Sequence, residues 1–149
     1  MEDANVPNSN TEVATGGCLC GAVRYEVSGN LRGVLNCHCG MCRKLHGGFA
    51  GHTKASKKDI TITQDRGLKW YRTSATIQRG FCGECGSRLF WRPDAQDSTG
   101  ILAGSLDLPT GLTTLGHIFV GDKADFYEIS DSLPQYDKSS DGAFEGDCL

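Results

Sequence analysis

Seven of the eight cysteines of this chain fall into three short groups, and no other feature restricts its fold as tightly. Cys18-Leu19-Cys20 lies near the start, Cys37-His38-Cys39-Gly40-Met41-Cys42 follows, and Cys82-Gly83-Glu84-Cys85 comes past the middle. Thiols one or two residues apart are strained partners for a disulfide, which needs a set Cα separation and dihedral, yet both can point at one ion. Gly86, directly after Cys85, suits a tight knuckle because glycine takes a positive φ and turns its amide toward a sulfur. An all-thiolate donor set favours zinc, with iron the lesser candidate.

The count then matters. Four thiolates saturate tetrahedral zinc and make a structural site, whereas three leave a position open for water or substrate. Seven divide into four plus three, but spacing permits more than one partition. Cys39 and Cys42 with Cys82 and Cys85 would form an ordinary four-cysteine ribbon, leaving Cys18, Cys20 and Cys37 for the other site. Two structural sites are also consistent with the spacing, the second completed by His38, His46, His52 or His117.

At 149 residues and 38% hydrophobic content, the chain has the size of one domain with a modest core, which metal crosslinks would reinforce. Twenty glycines against four prolines point to many turns and few long helices. A net charge of −3 leaves no electrostatic footprint for nucleic acid or an anionic membrane. The sequence contains neither a run of 18 apolar residues nor a signal-peptide pattern, so a soluble, cytoplasmic protein is expected, in which reduced cysteines favour metal over disulfide.

Residues 1–15 are polar and aperiodic and read as a flexible lead-in. The domain is expected over 16–138, with a small, polar tail over 139–149 in which Cys148 stands alone as a free thiol. Alternation places Val23, Tyr25 and Val27 on one face of a strand over 22–27. Short strands are also expected at 34–36, 49–53, 60–63, 101–103 and 117–120, with 88–92 leading away from the Cys82 knuckle. Those over 68–73 and 76–82 form a hairpin that delivers Cys82. One helical turn over 42–46 ends at Gly47-Gly48. Phe126, Ile129 and Leu133 are read as anchors for a C-terminal coil. The expected class is all-β, built from short antiparallel strands and held by metal at its loops.

The runs Gly17-Cys18-Leu19-Cys20-Gly21-Ala22-Val23-Arg24-Tyr25, Cys37-His38-Cys39-Gly40-Met41-Cys42-Arg43-Lys44 and Phe81-Cys82-Gly83-Glu84-Cys85-Gly86-Ser87 resemble the glutathione-dependent formaldehyde-activating enzyme family. Gly104-Ser105-Leu106-Asp107 and His117-Ile118-Phe119-Val120 are similar to it as well, and the likeness runs over about 16–137. It implies the zinc-bearing β-tent fold, also present in the related core of centromere protein V. It also implies two zinc ions, one structural on Cys18, Cys20, Cys82 and Cys85 and one catalytic on Cys37, Cys39 and Cys42. The activity implied is that of a carbon-sulfur lyase joining glutathione, or another small thiol, to formaldehyde or a related aldehyde, or the reverse.

Three thiolates already donate charge to the second metal, which weakens it as a Lewis acid and leaves exchangeable thiolate binding as its easier role. Arg43 and Lys44 read either as carboxylate contacts or as a solvated surface pair. His38 must point away from a metal held by its two neighbours. His117 reads as a satisfied sheet residue, and Trp70, Tyr71, Phe90 and Trp91 as pocket wall or, more simply, core. Two other functional classes remain open: a zinc-stabilised protein-binding module, disfavoured by the absence of a basic extension, and a thiolate sensor of metal or redox state.

Overall fold

In a computed structural model, described here over residues 13–146, the chain forms ten strands and one short α-helix in two sheets. The smaller sheet has the order β1-β2-β5, from β1 (Ala14–Gly17), β2 (Arg24–Val27) and β5 (Ile60–Gln64). The larger has the order β10-β3-β4-β9-β8-β7-β6. Its members are β3 (Val34–Cys37), β4 (Ala50–Ser56), β6 (Leu68–Arg72), β7 (Ile77–Cys82), β8 (Arg88–Pro93), β9 (Ser98–Leu102) and β10 (Thr114–Ile118). The fold is thus mostly β.

The alternation read in the sequence holds for β2: Tyr25 and Val27 are buried together with Val23, while Glu26 faces water. These residues meet Leu89, Phe90 and Ile101 of the larger sheet, and the Tyr25 and Phe90 rings lie edge to face at 5.2 Å. Phe90, stacked on Trp70 at 5.9 Å, is core, and Trp91 is buried as well, whereas Tyr71 is exposed. β6 and β7 form the expected hairpin, pairing Leu68 with Cys82.

Several expectations need correction. β1 begins at Ala14, so Ala14 and Thr15 belong to the sheet; 1–12 lie outside the described residues. The pairing is not all antiparallel, because β10 lies parallel to β3. The chain crosses from β9 through the 103–113 loop and re-enters beside β3 in the same direction. Phe126 anchors no coil, being 67% exposed. Instead, 134–138 is zipped to the end of β10 by backbone bonds, with the His117 amide donating to Pro134, Tyr136 to His117, and Phe119 to Lys138. The segment read as a tail packs as far as it is described: Phe144 joins Leu35 and Leu115 in a separate cluster, and the buried Arg32 donates to the Glu145 carbonyl. Cys148 lies outside the described residues.

Candidate metal centres

The two sheets supply the cysteines from different places, and the thiols gather into two groups: Cys18, Cys20, Cys82 and Cys85, and separately Cys37, Cys39 and Cys42. Within each group the sulfurs lie within 4.8 Å of one another. Cys39 and Cys42 therefore do not share a site with Cys82 and Cys85.

The first group joins the β1–β2 loop to the end of β7 and the turn after it, and so ties the small sheet to the far side of the large one. Cys20 and Cys82 stand 62 positions apart in sequence with their sulfurs at 3.8 Å, and Cys18 and Cys20 are at 3.7 Å. Tetrahedral zinc with sulfur at 2.3 Å needs sulfur-sulfur edges of about 3.8 Å, so the donors are spaced for it. Amides support the thiolates: Val23 N donates to Cys18 Sγ at 3.2 Å and Glu84 N to Cys82 Sγ at 3.4 Å. The Ser87 hydroxyl lies 3.2 Å from Cys85 Sγ and, with the Ser87 amide, holds that thiol down to about 5. Gly86 takes a φ of 82°, as its knuckle requires.

The second group is local. Cys37 ends β3, and Cys39 caps α1 (Gly40–His46), accepting from the Cys42 amide at 3.3 Å. The helix starts two residues earlier than expected because Cys39 caps it, and it closes at Gly47 with a φ of 81°. Cys37 and Cys42 are buried against Ala50 and Ile118, and Cys39 is half-buried. Hydrogen bonds from Cys37 and Cys42 hold the Cys39 thiol down to about 2, whereas the Cys42 thiol is pushed up by its bonds with Cys37 and Cys39. Arg43 and Lys44 point to solvent.

No histidine joins either group. His38, between two cysteines, turns away from them into a chain that sequence reasoning missed. His38 Nδ1 meets the Tyr127 hydroxyl at 2.5 Å, His38 Nε2 meets His117 Nδ1 at 2.9 Å, and His117 Nε2 meets Asp131 Oδ2 at 2.9 Å. His117, expected to be a satisfied sheet residue, is one, on both nitrogens. Burial holds His38 down to about 4, so it is neutral near pH 7. The donor from His117 lowers Asp131, which stays an acceptor. The polarity then follows: His117 Nε2–H donates to Asp131, His38 Nε2–H to His117, and the Tyr127 hydroxyl to His38. The chain ends with the Tyr127 oxygen's remaining lone pair free to accept, beside Cys37, whose charge helps to raise the Tyr127 hydroxyl after burial. The rings of Phe49 and Phe126 flank Tyr127 at 5.8 and 5.4 Å. Spacing could not reveal Tyr127 and Asp131, which lie more than 80 positions from Cys37, Cys39 and Cys42.

The profile described as glutathione-dependent formaldehyde-activating enzyme matches residues 13–122. The chain belongs to that family. Membership supports a glutathione-dependent, formaldehyde-activating function in general terms. A crystal structure of a Rhodobacter sphaeroides protein, solved as a structural-genomics target, matches with a TM-score of 0.54 at 24% identity, covering 67% of this chain and 97% of that one. At that identity the likeness concerns the fold alone. Among the described residues no helix is long and apolar enough to cross a membrane.

Proposed function

We propose that the protein is a zinc-dependent carbon-sulfur lyase that adds a small thiol such as glutathione to formaldehyde, or a related aldehyde, or runs the reverse reaction. In this reading Cys18, Cys20, Cys82 and Cys85 hold a structural zinc, and Cys37, Cys39 and Cys42 hold a catalytic one. The observation that carries it is the set of three thiols with, among the described residues, no fourth His, Cys, Asp or Glu donor gathered to it, alongside a complete set of four. Zinc held by three thiolates supplies an exchangeable position and a positive charge that lowers the pKa of an arriving thiol.

The covalent change is simple to balance. The substrate sulfur's electron pair forms the carbon-sulfur bond, the carbonyl π pair moves to oxygen, and the thiol's proton ends on that oxygen. Tyr127 Oη, its own proton committed to His38, accepts a hydrogen bond from the resulting hydroxymethyl group. Asp131 keeps that polarity by accepting from His117. Phe49 and Phe126, both exposed, offer apolar rings beside Tyr127 to a substrate.

The test is adduct exchange followed by NMR in mixtures of protein, glutathione and formaldehyde. Exchange well above the uncatalysed rate is expected. Exchange at the background rate for glutathione and for simpler thiols alike would reject the proposed reaction.

A further inference from the structure

Three buried polar atoms without a protein partner, Arg79 Nε, His46 Nε2 and His52 Nε2, belong to side chains that line one small cavity against the local cysteine group. Cys42 itself, Ala50, Trp91 and Leu102 complete the wall. β7 supplies Arg79, α1 supplies Cys42 and His46, and β4 supplies His52. At about 10 Å³ the cavity has room for one water and for nothing larger, so no substrate enters it. One water there can accept from Arg79 Nε–H and donate to both imidazoles, but it brings no charge to oppose the guanidinium.

No acid lines the cavity. Arg79 is 8% exposed, and among the described residues no carboxylate forms an ion pair with it. Its Nη2 donates instead to the Met41 thioether at 3.4 Å, a weak acceptor in the first turn of α1 between Cys39 and Cys42. A guanidinium does not shed its proton, so burying one is unfavourable unless an opposite charge stands near. The imidazoles add no second cation. Burial, with the charges of Arg79 and Arg88, holds His46 down to about 4 against the charge of Cys39, and burial, with the charge of Arg32, holds His52 down to about 3. The nearby groups of opposite sign are the thiolates: His46 stands in the field of Arg79 and of Cys39 together, and Cys42 is part of the cavity wall.

Three thiolates around a divalent zinc leave one net negative charge, and a fourth thiolate makes two. A fixed positive charge against Cys42 therefore favours the four-thiolate form over the three-thiolate form. We propose that Arg79 is the buried counter-charge of the local cysteine centre, a positioning residue that promotes uptake of a fourth thiolate there. The arriving thiol gives its proton to solvent as its sulfur binds. This rests on the reading of Cys37, Cys39 and Cys42 as an open, thiolate-binding zinc site, and it holds whatever else the thiol carries, because Arg79 acts through the centre and touches no substrate.

The probe is 2-mercaptoethanol, whose sulfur is its one ionisable group, titrated into protein loaded with cobalt(II) in place of zinc. The cobalt d–d bands report a new sulfur ligand, and the saturated four-thiol centre contributes a constant background. Arg79→Met, which keeps the side-chain length and drops the charge, should bind the thiol about tenfold more weakly than the parent or worse, whereas Arg79→Lys should stay within about threefold of it. A role in packing alone predicts the reverse order, since methionine suits the apolar part of the wall and lysine still buries a charge. Parent-like affinity in Arg79→Met, or equal losses in the two variants, overturns the proposal and leaves the thiol-binding reading standing. No thiol-dependent change in the parent spectrum overturns both. If Arg79→Met fails to fold, the Arg79 Nε–H resonance of the zinc-loaded parent decides: a shift on adding 2-mercaptoethanol supports the counter-charge, and an unmoved resonance rejects it.

Discussion

Gly67, in the turn between β5 and β6, carries no chemistry, yet it packs directly on the four-thiol group. A Cβ added there would sit 2.7 Å from Cys82 Sγ and 2.8 Å from the Cβ of Ala22. Both approaches are about 1 Å inside ordinary van der Waals contact. Neither obstacle is the free end of a flexible side chain. The backbone has no easy retreat either, because Gly67 N donates to Ala22 at 2.9 Å and Gly83 N donates to the Gly67 carbonyl at 2.7 Å. Overpacking of this kind costs about 1–3 kcal/mol. At roughly 4 °C per kcal/mol for a domain of this size, Gly67→Ala should lower Tm by about 4–12 °C. The metal should report it too, since a shift of about 1 Å in one sulfur far exceeds the ~0.2 Å tolerance of a metal-ligand distance. Zinc release to a chelator should therefore be faster in the variant. The control is Gly48→Ala: nothing lies within 4 Å of its Cβ and its φ is not in the left-handed region, so a gain of up to about 1 kcal/mol is expected. Scanning calorimetry and chelator kinetics on both variants suffice. A Gly67→Ala protein that melts within about 1 °C of the parent and releases zinc at the same rate would refute the claim that Cys82 is held rigidly by this packing.

Three further outcomes are expected. Cys82→Ser should lower Tm by more than about 10 °C or prevent folding, while Cys39→Ser should lose one of two zinc ions in native mass spectrometry and melt within a few degrees of the parent; the opposite pattern would reverse the structural and catalytic assignments. His52 is buried, and burial takes its pKa down to about 3, so between pH 3 and its ordinary 6.5 the unfolded chain holds a proton that the folded chain does not. Its contribution is complete above pH 6.5 and is lost as pH falls, and His52→Gln should flatten urea-derived stability against pH by about 1.4 kcal/mol per pH unit within that window. Phe144 is 8% exposed in its own apolar cluster, so Phe144→Ala should cost about 3 kcal/mol in denaturant unfolding; a loss under about 0.5 kcal/mol would mean that residues 139–146 are a tail after all.

The cysteine groups and the β2 face were legible because their signals are local: ligand spacing in the first case, period-two alternation in the second. The glycine knuckle at Gly86 and the stop at Gly47 were legible for the same reason, since a positive φ is a single-residue property. Partner choice among distant groups was not. Nothing near His117 in sequence announces Asp131 on one nitrogen and His38 on the other, and nothing near Phe144 announces Leu35 and Leu115. Phe126 shows the opposite failure, an aromatic residue read as an anchor for a C-terminal coil that the fold leaves exposed beside Tyr127.

The sequence alone determined a mostly β chain with seven clustered thiols, because strand alternation and ligand spacing are set by neighbours along the chain. Residue spacing left the grouping of the thiols open, and the tertiary structure brings them together in the partition that the family resemblance implies; only that structure decided that β10 runs parallel to β3 and that Tyr127, His38, His117 and Asp131 form one hydrogen-bonded chain. The physical reason is that each of these depends on where loop closures bring residues far apart in sequence, and the packing of two sheets governs that outcome.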